Sequence, residues 1–154
     1  MKIFLFLLKL ASGLLFLGIS TLLGLYTYAQ FYGPVGPVPG GELSGQFADS
    51  DPDWALLLPK GKFIEVQFGD DDPYSVTLDP HVVNGKLYTW SRSENSWSQR
   101  IQENPRTIVK IDEILYRTIA SRVSDEKRLA EVNRDRTGVA EPIGVSFLLE
   151  LGSH

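Results

Sequence analysis

The chain has 154 residues, no cysteine and a formal net charge of −4 at pH 7. The absence of cysteine excludes disulfides, thiolate metal sites and a thiol nucleophile. The 19 acidic residues outnumber the 15 basic ones, which argues against nucleic-acid binding because that function needs a basic surface. His81 and His154 are far apart in sequence, so no histidine-based metal site is expected.

Residues 1–32 form an apolar segment that is predicted to be a transmembrane anchor. Within it, residues 10–28 carry no charge, which is roughly the length that crosses a bilayer core as a helix. Lys2 and Lys9 precede this uncharged stretch. Because basic residues favour the cytoplasmic side, we expect a single-pass membrane protein with a cytoplasmic N-terminus. The domain would then be extracytoplasmic, and periplasmic if the organism is Gram-negative. A cleaved signal peptide ending near Ala29 is the alternative.

The segment after the anchor, residues 33–45, is rich in proline and glycine. This composition predicts a semi-extended linker that holds the following domain off the membrane surface. The domain itself is expected to comprise residues 46–154. Near its start, Trp54 and the leucines after it are expected to cover one end of the domain as a short helix or an irregular plug.

From residue 61 onward, apolar and polar residues alternate in short runs, which is the pattern of half-buried β-strands. Asn84-Gly85 is a strong hairpin signal, and Asp112-Glu113 marks a second turn. Two short helices are predicted, one over residues 94–102 and one beginning at Ser124, whose hydroxyl would cap it. The fold class is therefore mainly β, a small antiparallel barrel with helices at its openings. The six predicted strands span residues 62–68, 74–78, 86–90, 107–111, 115–123 and 143–151.

The strand at 86–90 ends in polar residues, which we call the hook (residues 89–93), and leads directly into the first predicted helix. Thr89, Ser91, Arg92 and Ser93 place hydroxyl groups and a guanidinium beside the helix N-terminus. Unpaired N–H groups and the helix dipole favour an anion at such an end. A phosphate or carboxylate is therefore expected at the hook. The alternative is that Ser93 only caps the helix and that Arg92 points to solvent.

Four further residues are weaker candidates for the same binding site. Trp97 and Arg100 lie on the helix that follows the hook. Trp97 is interpreted as a core residue in preference to a cofactor contact, and Arg100 could face either the hook or solvent. Tyr74 and Ser75 lie on a strand that is expected to neighbour the hook. Glu65 is the carboxylate that stands out on an otherwise apolar strand, and it is expected on the solvent face.

Two runs around the hook carry a family resemblance: Leu87-Tyr88-Thr89-Trp90-Ser91-Arg92, and then Trp97, Ile101 and Asn104-Pro105-Arg106-Thr107-Ile108-Val109. They resemble the core of the flavin- and deazaflavin-binding split β-barrels. These are the pyridoxamine-5'-phosphate-oxidase-like proteins, which include the deazaflavin-dependent nitroreductases. The resemblance covers about residues 63–151 and implies a six-stranded antiparallel split barrel that forms a homodimer. It also implies that FMN or the deazaflavin F420 binds with its phosphate near Ser91 and Arg92.

The chain departs from the family pattern at the start of the helix. Oxidase members carry a Ser-Arg-Lys run there, where this chain has Asn95-Ser96-Trp97, so the phosphate-binding lysine is absent. Two hypotheses stay open. In the first, the protein is a membrane-anchored oxidoreductase whose flavin or deazaflavin phosphate rests on Ser91, Arg92 and the helix start. In the second, it is a non-catalytic, membrane-tethered binding or assembly module that has lost the cofactor.

Overall fold

One β-sheet carries the part of the chain that follows residue 45. The computed structural model describes residues 2–92, 96–141 and 144–152. The helices are α1 (Lys2–Tyr32), α2 (Trp54–Leu57), α3 (Ser96–Glu103) and α4 (Glu126–Thr137). The strands are β1 (Gln46–Phe47), β2 (Ile64–Phe68), β3 (Tyr74–Leu78), β4 (His81–Val83), β5 (Lys86–Ser91), β6 (Arg106–Ile111), β7 (Ile114–Arg122) and β8 (Val145–Leu151).

Seven of these strands pair antiparallel in the order β3-β2-β6-β7-β8-β5-β4, and the short β1 adds to β7 in parallel. The mainly β, antiparallel architecture that the sequence predicts is confirmed, but the predicted count of six strands is too low. The missing antiparallel strand is β4. Its three residues are all half-buried, so the sequence offers no alternation of apolar and polar positions by which to recognise it.

Both tight hairpins turn where the sequence predicts. Asn84 and Gly85 join β4 to β5 with φ angles of 53° and 74°. Two successive residues in the left-handed region match the twist of the flanking strands, which is why Asn-Gly pairs favour this turn. Asp112, at the junction of β6 and β7, also has a positive φ, of 56°.

The sheet buries apolar side chains on both of its faces. The inner face packs against α2 and α3, and α2 is the short helix that was predicted to cover one end, with Trp54 buried. The outer face of β5 and β8 packs against α4 through a smaller cluster. The inner cluster includes Trp54, Phe68, Trp97, Val109 and Phe147, and the outer cluster includes Tyr88, Val123, Val132 and Leu148.

The two predicted short helices are present with shifted ends. For α3, the predicted start at residue 94 and the capping role of Ser93 lie outside the described residues. For α4, the cap is Asp125, whose carboxylate accepts a hydrogen bond from the Arg128 amide at 2.8 Å. The predicted cap, Ser124, is therefore wrong by one residue. Asp125 suits the position better because its charge also interacts favourably with the positive end of the helix dipole.

The N-terminal helix α1 is long and apolar enough to cross a membrane over Phe6–Tyr32. Its large apolar side chains are exposed along its length, as with Leu15 at 66% and Phe16 at 74%. A signal sequence near an N-terminus also meets this criterion of length and hydropathy. Retention of the anchor and its orientation therefore stay predictions.

The Pro/Gly segment at residues 33–45, which we call the strap, is bonded to the sheet. The amides of Gly40 and Ser75 each donate to the other's carbonyl oxygen at 2.9 Å, and the Leu43 amide donates to the Gln67 side chain at 2.7 Å. A Cβ on Gly40 would lie 2.5 Å from the backbone of Gly33 and Pro34. The expectation of a stand-off spacer is thus corrected, because these glycines allow close approach of backbones. The domain bounds at residues 32 and 45 stay predictions.

Candidate site at the end of strand β5

The hook begins on the inner face of β5, between its neighbours β4 and β8. Thr89 pairs with Phe147 and Ser91 with Val145 on β8. Thr89 and Ser91 alternate with the core residue Leu87, so their side chains point into the sheet's inner face. They are only 1% and 4% exposed. The buried Thr89 Oγ1 has no hydrogen-bond partner within the described part of the chain.

Arg92 follows directly after the strand and is exposed. The hook therefore has two layers in the part that the structure describes: a guanidinium at the surface and hydroxyl groups below it. Ser93, the last of its predicted residues, lies outside the described ranges.

Trp97, in the first turn of α3, is a core residue. It is 6% exposed and lies between Phe68 and Phe147, with ring centroids 5.6 Å and 5.3 Å away. The first of these contacts is stacked and the second is edge-on, which are the favoured arrangements of aromatic pairs. The placement agrees with the interpretation of Trp97 as core, and its main effect on the hook is to fix the helix that follows it.

Arg100 is held by the loop between β2 and β3. Its guanidinium donates to the Asp72 carbonyl at 3.0 Å and to the Asp72 carboxylate at 3.0 Å. The same group lies 4.9 Å from the centroid of the Tyr74 ring. Arg100 and Tyr74 are thus brought together, and Arg100 faces this loop.

Tyr74 and Ser75 are not on a strand adjacent to the hook, and that prediction is wrong. Their strand β3 pairs with β2, while β5 pairs with β4 and β8. The error arises because the pairing order of distant strands depends on tertiary contacts that no local pattern encodes. Ser75 lies opposite Gln67 and is fully buried beneath Gly40 of the strap. Any role of either residue in binding stays a prediction.

Gly144 is the residue at the hook that the sequence patterns do not single out. Its φ is +89°, and a Cβ on it would lie 3.0 Å from Arg92 Cα and closer still to the Ser91 carbonyl oxygen. The start of β8 therefore rests directly on the hook backbone, which only glycine permits. The available signal was a glycine one residue before a β-strand, which also occurs at many ordinary turns.

Glu65 on β2 alternates with the core residues Ile64 and Val66 and therefore lies on the outer face of the sheet, as predicted, but the strap covers this position and leaves Glu65 half-buried. Its Oε2 is buried without a hydrogen-bond partner among the described residues, and Lys110 Nζ lies 3.9 Å away. Burial raises the pKa of this carboxyl above its ordinary value of 4.5, the positive charge of Lys110 opposes that rise, and the negative charge of Glu113 adds to it. Glu65 is therefore a pH-dependent element beside the strap rather than part of the hook.

We expect Glu65→Gln to increase stability at neutral pH and to have no such effect in acid. Because the folded-state pKa of Glu65 is raised, its protonated carboxyl contributes fully to the free energy of unfolding below about pH 4.5. This contribution is lost as the pH rises through the folded-state pKa, whereas a neutral glutamine amide does not lose it. The check is chemical unfolding of both proteins between pH 4 and pH 8. The exposed Glu103→Gln is the control, and a gain that is equal at all pH values would contradict the assignment.

Comparison with known proteins places the fold. No family model and no curated protein matches the sequence. A solved structure from Listeria innocua, assigned as a pyridoxamine 5'-phosphate oxidase, has a TM-score of 0.54 at 18% identity and covers 64% of this chain and 90% of its own. A Bacteroides thetaiotaomicron protein assigned to 5-nitroimidazole antibiotic resistance has a TM-score of 0.47 at 15% identity, and the match covers 64% of this chain and 76% of that protein. A NimC/NimA family protein from Clostridium acetobutylicum has a TM-score of 0.45 at 12% identity, and the match covers 62% of this chain and 74% of that protein. The predicted likeness to the pyridoxamine-5'-phosphate-oxidase-like split barrels is thus confirmed at the level of the fold.

Proposed function

We propose that this split-barrel protein is anchored in a membrane by α1 and binds the phosphate of FMN or of the deazaflavin F420 at the hook, acting as an oxidoreductase. The observation that carries the proposal is the exposed Arg92, which directly follows β5 and lies four positions before the start of α3 at Ser96. A guanidinium is the strongest phosphate-binding side chain because it offers a fork of N–H donors. The fold shared with the Listeria innocua structure supports a redox role by analogy.

The described part of the hook fits a phosphate through a surface charge with hydroxyls beneath it. Arg92 supplies the charge, while Thr89 Oγ1 is a buried hydroxyl whose hydrogen-bonding capacity is unused among the described residues. Such a buried group costs free energy until it finds a partner. A small rearrangement of the hook that brings Thr89 towards a phosphate oxygen would remove that cost.

The residues around the hook would orient the bound group rather than react with it. Trp97 fixes α3 against the core, and Gly144 fixes the backbone of Ser91, so Arg92 starts from a defined position. A side chain that is already held in place loses less conformational entropy when the ligand binds, so binding is more favourable. A flavin or deazaflavin bound there would supply hydride transfer. A homodimer, which the family resemblance implies, is proposed as the functional form.

The second candidate, a cofactor-free membrane module, is favoured by the burial of the predicted contacts. Thr89, Ser91 and Trp97 are each at most 6% exposed, and Arg100 is already bonded to Asp72. Fully packed side chains offer a ligand little surface. On this alternative, the split barrel would serve as a binding or assembly unit held at the membrane.

Replacement of Arg92 tests whether the hook is the cofactor-binding site of the first candidate. We expect Arg92→Ala to weaken FMN or F420 binding by about ten- to a hundredfold, because a hydrogen bond to a charged group contributes roughly 1.5–3 kcal/mol. The measurement is a titration of the full chain in mild detergent, followed by the change in cofactor fluorescence. Arg134→Ala, which removes an exposed arginine from α4, is the matched control. Equal affinities for Arg92→Ala and the unaltered chain would contradict the assignment of the hook.

A further inference from the structure

A groove of about 540 Å³ lies between the last turn of α1 and the outer face of β6 and β7. It is distinct from the hook, which begins on the inner face of β5. Its walls carry both apolar and polar side chains. The apolar ones include Phe31 from α1 on one side and Ile108 and Leu115 from the sheet on the other, and the polar ones are Gln30, Glu42 and Ser44. Leu43 of the strap and Phe47 of β1 also line it.

The walls of the groove belong to one packed unit. Ala29 in the last turn of α1 is 0% exposed, and its carbonyl accepts hydrogen bonds from the amides of Gly33 at 3.0 Å and Gly41 at 3.4 Å. Gln30 donates to the Pro39 carbonyl at 3.3 Å. The strap thereby fixes the end of α1 against the sheet, so the groove is a built feature and not a gap between independent parts.

The groove opens at the end of the apolar helix. Phe31, on its wall, is 74% exposed and lies near the C-terminal end of the Phe6–Tyr32 stretch. Tyr28 and Tyr32 stack on each other in the same turns, with ring centroids 4.6 Å apart. Aromatic residues of this kind are enriched where a transmembrane helix leaves the hydrocarbon. The mouth of the groove therefore lies at the boundary of the lipid hydrocarbon, an inference that rests on the proposed membrane anchoring by α1.

We propose that the groove holds an acyl chain of a bilayer phospholipid with a zwitterionic headgroup. The apolar side chains of the lining suit the acyl chain, its polar side chains suit the headgroup end, and the volume of the groove is in the range of ligand-binding sites. The two charges that such a headgroup needs lie on and beside the groove. Glu42 lines it and is exposed on the strap. Arg117 does not line the groove but lies next to its wall residue Phe47, with the guanidinium carbon 3.5 Å from the ring centroid. Within the described ranges neither side chain has an ion-pair partner.

Single nitroxide labels test where the groove lies, since the chain has no cysteine of its own. The full chain would be labelled at Phe47→Cys, at Leu15→Cys in α1 and at Lys127→Cys on α4, and placed in phosphatidylethanolamine and phosphatidylglycerol nanodiscs. Phe47 and Leu15 labels should collide with lipid-soluble oxygen severalfold more than with a water-soluble nickel chelate, and the Lys127 label should show the reverse. A water-exposed Phe47 label beside a lipid-exposed Leu15 label would overturn the groove proposal alone. A water-exposed Leu15 label would overturn the anchor as well, and spin–spin coupling between Phe47 labels would assign the groove to a second copy.

The identity of the retained lipid tests the headgroup assignment. Native mass spectrometry of the full chain released from nanodiscs with equal amounts of the two lipids should show phosphatidylethanolamine retained severalfold over phosphatidylglycerol. Arg117→Gln should lower the retention of both lipids, whereas Glu42→Gln should shift the preference towards phosphatidylglycerol. Retention in proportion to the bilayer composition would overturn the assignment. Binding of a flavin or deazaflavin is measured separately, so its failure would be distinguishable from failure of the lipid site.

Discussion

Gly144→Ala should be one of the most damaging single-methyl additions in the domain. The residue has a φ of +89°, which costs an L-residue roughly 1–2 kcal/mol. The new methyl would also press on the Ser91 carbonyl and on Arg92 Cα, and overpacking of this kind costs about 1–3 kcal/mol more. We therefore expect a loss of about 2–5 kcal/mol in unfolding free energy, together with weaker cofactor binding because the hook is displaced.

Gly138→Ala is the matched control for this prediction. Gly138 ends α4 with a φ of +79°, but a Cβ there would meet nothing within 4 Å. It should therefore lose only the backbone strain, about 1–2 kcal/mol, and leave the hook unchanged. Urea unfolding of both variants and of the unaltered chain gives the comparison. Equal losses for the two variants would show that the start of β8 does not rest on the hook backbone.

Trp97→Ala should be the most destabilising truncation on α3. The indole is 6% exposed between two aromatic rings, and loss of a buried tryptophan typically costs about 3–5 kcal/mol. Whole domains are stable by only about 5–15 kcal/mol. Because α3 buries few other side chains, namely Ser98 and Ile101, its detachment from the sheet is expected along with the global loss.

Trp90→Ala provides the control for the effect of indole removal. Trp90 is half-buried on β5, where the Arg136 guanidinium carbon lies 4.0 Å from its ring centroid. Removal of the Trp90 indole should lower the free energy of unfolding by at least about 1 kcal/mol less than removal of the Trp97 indole does, since less apolar surface returns to water. The measurement is denaturant unfolding followed by near-ultraviolet circular dichroism. A Trp97→Ala loss no larger than that of Trp90→Ala would contradict the packing of α3 described above.

Local sequence patterns were sufficient for the elements that depend on neighbouring residues. Asn84-Gly85 predicted a hairpin that the φ angles confirm, because positive φ at two successive positions is a local requirement. Apolar alternation likewise predicted β5. The burial of Thr89 and Ser91 could have been read from the same alternation, since they share a face with Leu87.

Features that depend on distant contacts were not predictable in the same way. Proline and glycine in the strap suggest flexibility, yet glycine also permits the close backbone approach seen at Gly40. The partner of β3 could not be chosen from its own sequence, which is why Ser75 was placed beside the hook. Gly144 acts through a chain segment more than fifty positions away in sequence, so no local motif identifies it.

The most direct test of the central claim is a search for a chromophore in the purified protein. The full chain would be extracted in mild detergent, its visible absorbance recorded, and the small molecule released on denaturation identified by mass spectrometry. We expect FMN or F420 at close to one per chain, or saturable binding of one of them when it is added. A colourless protein that binds neither added FMN nor added F420 would contradict the redox assignment and leave the cofactor-free membrane module as the function.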